Sequence, residues 1–157
     1  MLPTTVLISA WKLQSYVEIP GDGSQPFYPL GEHPMGIIMY TPDGYRSAQL
    51  MKSGCQNFAV NDFYEGTLEE YKAAGPTYIA YTGPFKVDEE QRTLTHSMFI
   101  SLFPNWARKT QPRVISLEGD VLTLGTATPI NSKGKAVNSK LVSHRAQPEQ
   151  RLMLRFR

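Results

Sequence analysis

Three side chains suited to acid–base and carbonyl chemistry fall at alternating positions of strand-like segments. They are His96 in LTHSMFI (94–100), and Tyr40 and Arg46 on either side of the turn TPDG (41–44). A histidine titrates near neutral pH and can act as a general acid or base without extensive tuning. A neighbouring phenol, Tyr40 or Tyr81, could partner it or polarise a carbonyl. Arg46 shares its predicted face with Tyr40, Ala48 and Leu50, an apolar setting for a guanidinium. Such a cation could hold a ligand oxygen or stabilise charge developing on an enolate. It could equally sit at a rim, its stem covering Tyr40 and its head in water. His96 has a plain alternative too, as a hydrogen-bonded core residue. Gln111 and Arg113 fall on the next segment, either in a structural network or facing the ligand.

Other chemistries find no support. The three histidines, His33, His96 and His144, have no metal-ligand spacing, and a lone cysteine, Cys55, cannot build a thiolate site. No glycine pattern resembles a phosphate cradle or dinucleotide fingerprint, so no cofactor is expected. A net charge of +2 with scattered Lys and Arg does not suggest nucleic acid. No apolar run approaches the roughly 20 residues of a membrane span. The absence of a secretory-type start, with a single cysteine, leads to the expectation of a cytoplasmic protein.

The segments that must position these groups alternate with period two and are separated by turn signals, as in an antiparallel sandwich or barrel. SAWKLQSYVEI (9–19) puts Trp11, Leu13, Ser15 and Val17 on one face. A Gly- and Pro-rich loop (20–34) precedes a hairpin of MGIIMYT (35–41) and YRSAQLMK (45–52), in which Tyr40 opposes Arg46 and Ile38 opposes Ala48. Residues 53–65 read as loop. TLEEYKAAG (67–75) carries a capping box, Thr67 with Glu70, and predicts the one short helix. Strands resume at 78–88, 92–103, 111–125 (a hairpin turning at Gly119-Asp120) and 135–145, about eight in all. The alternation turns an apolar set inward, among them Trp11, Ile38, Phe85 and Met98. It also turns inward Ser15, Tyr40, Arg46, Tyr81, His96, Gln111 and Arg113. Met98 and Ile100 share the His96 face, and few acidic residues point inward. Ser47 and Gln49 project to the opposite face, towards neighbouring loops or a second subunit of a homodimer. One domain is expected over 1–157, with its barrel at about 9–145 and a tail or short helix at 146–157.

The motifs SAWKLQSYV, YTPDGYRSAQL, YIAYTGPFKVDEE and SLFPNW, in this order and at these separations, resemble the lipocalin-like domain family of short bacterial and fungal proteins. The resemblance covers residues 9 to 145. It implies a closed antiparallel β-barrel with an internal cavity. In fungi, larger barrels of lipocalin type and other small non-redox folds are similar in context, and some of them work in natural-product pathways as cyclases or isomerases. Three departures stand out: Ala10 where the family has Gly, Arg46 where it has Met or another apolar residue, and Ser143 in place of an aromatic. The last two make the interior more polar.

Two functions follow as expectations. The first is a cofactor-free cyclase or isomerase acting on a small, largely hydrophobic polyketide- or terpenoid-like intermediate. In it His96, Arg46 and Tyr40 are catalytic, while Trp11, Ser15, Ile38, Tyr81, Phe85, Met98, Gln111 and Arg113 bind substrate. The second is a non-catalytic carrier of a small amphipathic molecule. The charged group at 46 favours the enzyme.

Overall fold

A computed structural model describes residues 2–148 of the chain; residues 149–157, with most of the expected tail or terminal helix, lie outside the described residues. The alternating segments form ten strands: β1 (Ala10–Pro20), β2 (Met35–Tyr40), β3 (Tyr45–Met51), β4 (Tyr78–Asp88), β5 (Thr93–Ser97), β6 (Ile100–Ser101), β7 (Thr110–Glu118), β8 (Val121–Thr126), β9 (Ile130–Ser132) and β10 (Lys135–Arg145). Eight of them run in the order β1-β2-β3-β4-β5-β7-β8-β10, and β10 pairs back onto β1. The result is a closed antiparallel barrel without a long exposed edge. The two-residue β6 adds to β4, and β9 adds to β10.

Turn chemistry sets the hairpins. Gly44 occupies φ 92°, which favours glycine, and its amide donates to the Thr41 carbonyl, so Tyr40 faces Arg46 and Ile38 faces Ala48. Gly119, at φ 60°, likewise closes the β7–β8 hairpin, pairing Leu117 with Leu122 and Ile115 with Leu124. The short helix α2 (Leu68–Ala74) begins at Thr67 with the expected reciprocal bonds to Glu70.

Short turns lie at one end of the barrel and long connections at the other. A four-residue helical turn, α1 (Thr4–Leu7), covers the short-turn end; no pattern in the sequence had indicated it. Leu7 is fully buried there, and its carbonyl accepts from the Trp11 indole at 2.9 Å. The Arg145 guanidinium lies 4.4 Å from the Trp11 ring centroid and also pairs with Asp120.

Two bulges correct the simple alternation. On β1, two residues (Leu13 to Ser15) stand against one on β10 (Ser143 to Val142), and Gln14 is the extra residue. Beyond it the faces exchange. Tyr16 and Glu18 are buried, whereas Ser15 and Val17, expected inside, are only half-buried. Between Phe85↔His96 and Tyr81↔Ser101, β5–β6 advances five residues while β4 advances four. Consequently Ile100 does not share the His96 face; it is 58 % exposed, while Met98 remains buried.

Candidate functional site: a polar cluster inside the barrel

Arg46 points into the barrel, not to its rim: the residue is 2 % exposed. Strand β3 lies between β2 and β4, and this register sets Arg46 beside Tyr40 and next to Gly83, with Tyr81 one inward position further along β4. The guanidinium donates from Nε to the Tyr40 hydroxyl at 3.3 Å and from Nη2 to the Tyr81 hydroxyl at 2.9 Å. It also lies 4.5 Å from the Tyr81 ring centroid. Among the described residues no carboxylate is within ion-pair distance of it, and Nη1 has no partner.

His96 completes the group from β5, paired with Phe85 on one side and Gln111 on the other. Its Nε2 is 3.3 Å from the Tyr40 hydroxyl. The direction of that contact depends on the imidazole tautomer: with the ring proton on Nδ1, Nε2 accepts from the Tyr40 hydroxyl. Nδ1 is buried without a partner. Burial, then the charges of Arg46 and Arg113, hold the His96 pKa well below the usual histidine value, so the ring is neutral. Burial raises the Tyr40 phenol despite the nearby Arg46 charge. Burial pushes Tyr81 the same way, but the Arg46 and Arg113 charges outweigh it and its pKa is lowered.

The other wall carries Arg113, 9 % exposed on β7, where its Nη2 donates to the Gln111 side chain. The bulge on β1 adds a pair that simple alternation had placed outside. Tyr16 donates to Glu18 Oε1 at 2.7 Å, and Glu18 Oε2 is buried without a partner. Burial and the Glu18 carboxylate together drive the Tyr16 phenol far above its ordinary pKa. Acids are scarce inside, as expected, but Glu18 is one that alternation had placed outside. A one-residue register shift leaves no trace in composition, so nothing in the sequence could have revealed it.

The structure thus brings together Tyr40, Arg46, Tyr81 and His96, with Phe85 edge-on to Tyr40 at 4.9 Å. Trp11, Ile38 and Met98 are buried in the surrounding apolar core, and Ser143 is buried with its hydroxyl unpartnered. Ser15 is not part of the cluster: it pairs with half-buried Val142 on the outer side. Ser47 and Gln49 also face out, bonded to Thr82 and Tyr78 of β4. Trp106 lies near the long-connection end, its ring 5.8 Å from that of Tyr81. Two surface clefts lie beside α2, the larger of about 680 Å³ between Phe58, Phe63, Tyr71 and Leu102. Neither is lined by the polar cluster. Among the described residues no helix is long and apolar enough to cross a membrane.

A closed eight-stranded barrel whose apolar interior holds a few convergent polar groups defines the lipocalin class, and the interior is the natural place for a small molecule. The lipocalin-like domain family matches residues 8–146, and the chain belongs to that family. It is similar to the 4'-hydroxy-3'-methoxypropiophenone carrier protein ppsC of Aspergillus oryzae (strain ATCC 42149 / RIB 40). The two are 36% identical over 94 residues, 56% of this chain and 85% of that protein.

Proposed function

We propose that the protein is a non-catalytic carrier of a small aromatic ketone or similar carbonyl compound, bound inside the barrel with its oxygen at Arg46. One observation carries the reading: a fully buried guanidinium lacks a carboxylate and keeps Nη1 without an acceptor. Unpaired buried charge and unmet donors are costly, so a protein that retains them gains from a ligand that satisfies them. The buried Nδ1 of His96 is a second polar atom without a partner. The similarity to a carrier of a hydroxylated aryl ketone supports the same class of cargo.

Catalysis as a cyclase or isomerase asks more of these residues. A general base needs a pKa near the working pH and a group to orient it. His96 is held neutral by burial with its Nδ1 unpartnered, and Tyr40 is made a weaker acid by burial. Both features favour holding an oxygen over moving protons. The lone Cys55, exposed and unpaired, is in keeping with the cytoplasmic setting we propose.

The cluster is enclosed, so a ligand reaches it only by displacing covering side chains. Titration with 4'-hydroxypropiophenone, followed by the fluorescence of Trp106 beside Tyr81, should show saturable one-to-one uptake. Mass spectrometry after long incubation should return the ketone unchanged. A product of altered mass or connectivity would restore the enzyme; no uptake of any carbonyl compound would refute both readings.

A further inference from the structure

The interior has two poles, only one of which the carbonyl-binding reading uses. Arg46 supplies a donor without an acceptor, and His96 Nδ1 is a second unpartnered polar atom beside it. Glu18 supplies the converse, an acceptor, Oε2, without a donor, in a residue 4 % exposed. Its other oxygen is held by Tyr16, which fixes the carboxylate and prevents it from turning away. Cross-strand register extends a buried polar band from Glu18 through Ser139 and Thr126 to Arg113. Ser139 and Thr126 are tied to each other, the Ser139 amide donating to the Thr126 hydroxyl at 3.0 Å. Among the described residues neither Arg113 nor any other cation is within ion-pair distance of Glu18.

We propose that Glu18, positioned by Tyr16, is a specificity-determining residue that accepts a hydrogen bond from a hydroxyl at the end of the ligand remote from its carbonyl. This rests on the carrier reading and narrows its cargo to hydroxyaryl ketones. A neutral phenol donates to Oε2 without placing a further cation beside the two guanidiniums, Arg46 and Arg113, that share this interior. An ether or unsubstituted ring would bury Oε2 without a donor, and sites built to pair a hydroxyl discriminate strongly against analogues that lack it.

The test compares three probes on the intact wild-type chain by calorimetry. They are 4'-hydroxypropiophenone (hydroxyl and carbonyl), 4'-methoxypropiophenone (carbonyl only) and 4-propylphenol (hydroxyl only). The expected result is that each single-function probe binds about tenfold or more weaker than the first. Glu18→Leu should then bring the hydroxy and methoxy ketones to within about twofold of each other, with circular dichroism confirming a folded barrel. Equal binding of the hydroxy and methoxy ketones by wild type would overturn the role of Glu18 and leave the carrier reading intact. Failure of all three to bind would overturn both. A Glu18→Leu variant that does not fold leaves the wild-type comparison to decide.

Discussion

Arg46 and Tyr40 face each other across the β2–β3 hairpin, and the guanidinium Nε donates to the Tyr40 hydroxyl at 3.3 Å inside the barrel. A cation is thereby held in the interior by two phenols, Tyr40 and Tyr81, neither of which balances its charge as a carboxylate would. On the carrier reading the arrangement trades folding stability for binding, and the two consequences can be measured separately.

Replacing Arg46 by methionine should move stability and affinity in opposite directions. Replacing a whole buried ion pair by apolar residues of similar volume is often neutral or stabilising by about 1–4 kcal/mol, and Arg46 has no carboxylate partner among the described residues to leave stranded. The Tyr81 hydroxyl left behind offsets about 1–3 kcal/mol of that. The ligand-free Arg46→Met protein should therefore melt at or slightly above the wild-type temperature, while affinity for 4'-hydroxypropiophenone falls at least about tenfold, or 1.4 kcal/mol. A large fall in melting temperature without ligand would show the guanidinium to be structural.

The His96 ring should impose an acid limit on stability. Burial, with the charges of Arg46 and Arg113, lowers its pKa in the folded protein, whereas in the unfolded chain it titrates near about 6.5. Below that pH the unfolded chain takes up a proton that the native state refuses. The stabilising effect of the neutral ring is thus complete above about pH 6.5 and is lost on acidification, at no more than about 1.4 kcal/mol per pH unit. Chemical denaturation from pH 7 to pH 5 should reveal this slope, and His96→Gln should reduce it. An unchanged slope in the variant would assign the effect to other groups.

Gly83 is where the β4 backbone meets the bulge between β5 and β6. A Cβ there would come within 1.7 Å of the Ser97 carbonyl oxygen, a contact no small adjustment relieves. Gly83→Ala should cost more than about 3 kcal/mol or prevent folding. Gly125→Ala is the control: its Cβ would meet Ser139 O at 3.5 Å, an ordinary contact, and the cost should stay within about 1 kcal/mol. Similar denaturant midpoints for the two variants would contradict the close approach.

Leu7, fully buried beneath the short-turn end, anchors α1 over Trp11. Leu7→Ala should cost about 2–5 kcal/mol in urea denaturation and shift Trp11 emission to the red as water reaches the indole. A loss below about 1 kcal/mol would mean that the barrel end closes without α1.

Local patterns that carry their own chemistry were legible in the sequence. Gly44 and Gly119 demand their turns, and those turns set the pairings Tyr40↔Arg46 and Ile115↔Leu124. Thr67 and Glu70 likewise announce α2. From these, an antiparallel sandwich or barrel and the inward placement of Tyr40, Tyr81, His96 and Arg113 follow by alternation, and the family resemblance pointed to the barrel.

What the tertiary structure alone decided lies beyond the two bulges and at the ends of the barrel. Whether Arg46 sits at a rim or in the interior depends on the strands either side of it and on α1 closing the end nearby. Ser15 faces out and Glu18 faces in because Gln14 is an extra residue measured against β10, a partner more than 120 positions away in the chain. Alternation is a property of one strand by itself, whereas register is a property of two, and a single inserted residue exchanges every face that follows it. The acidic pole of the interior could therefore be seen only after the barrel had closed.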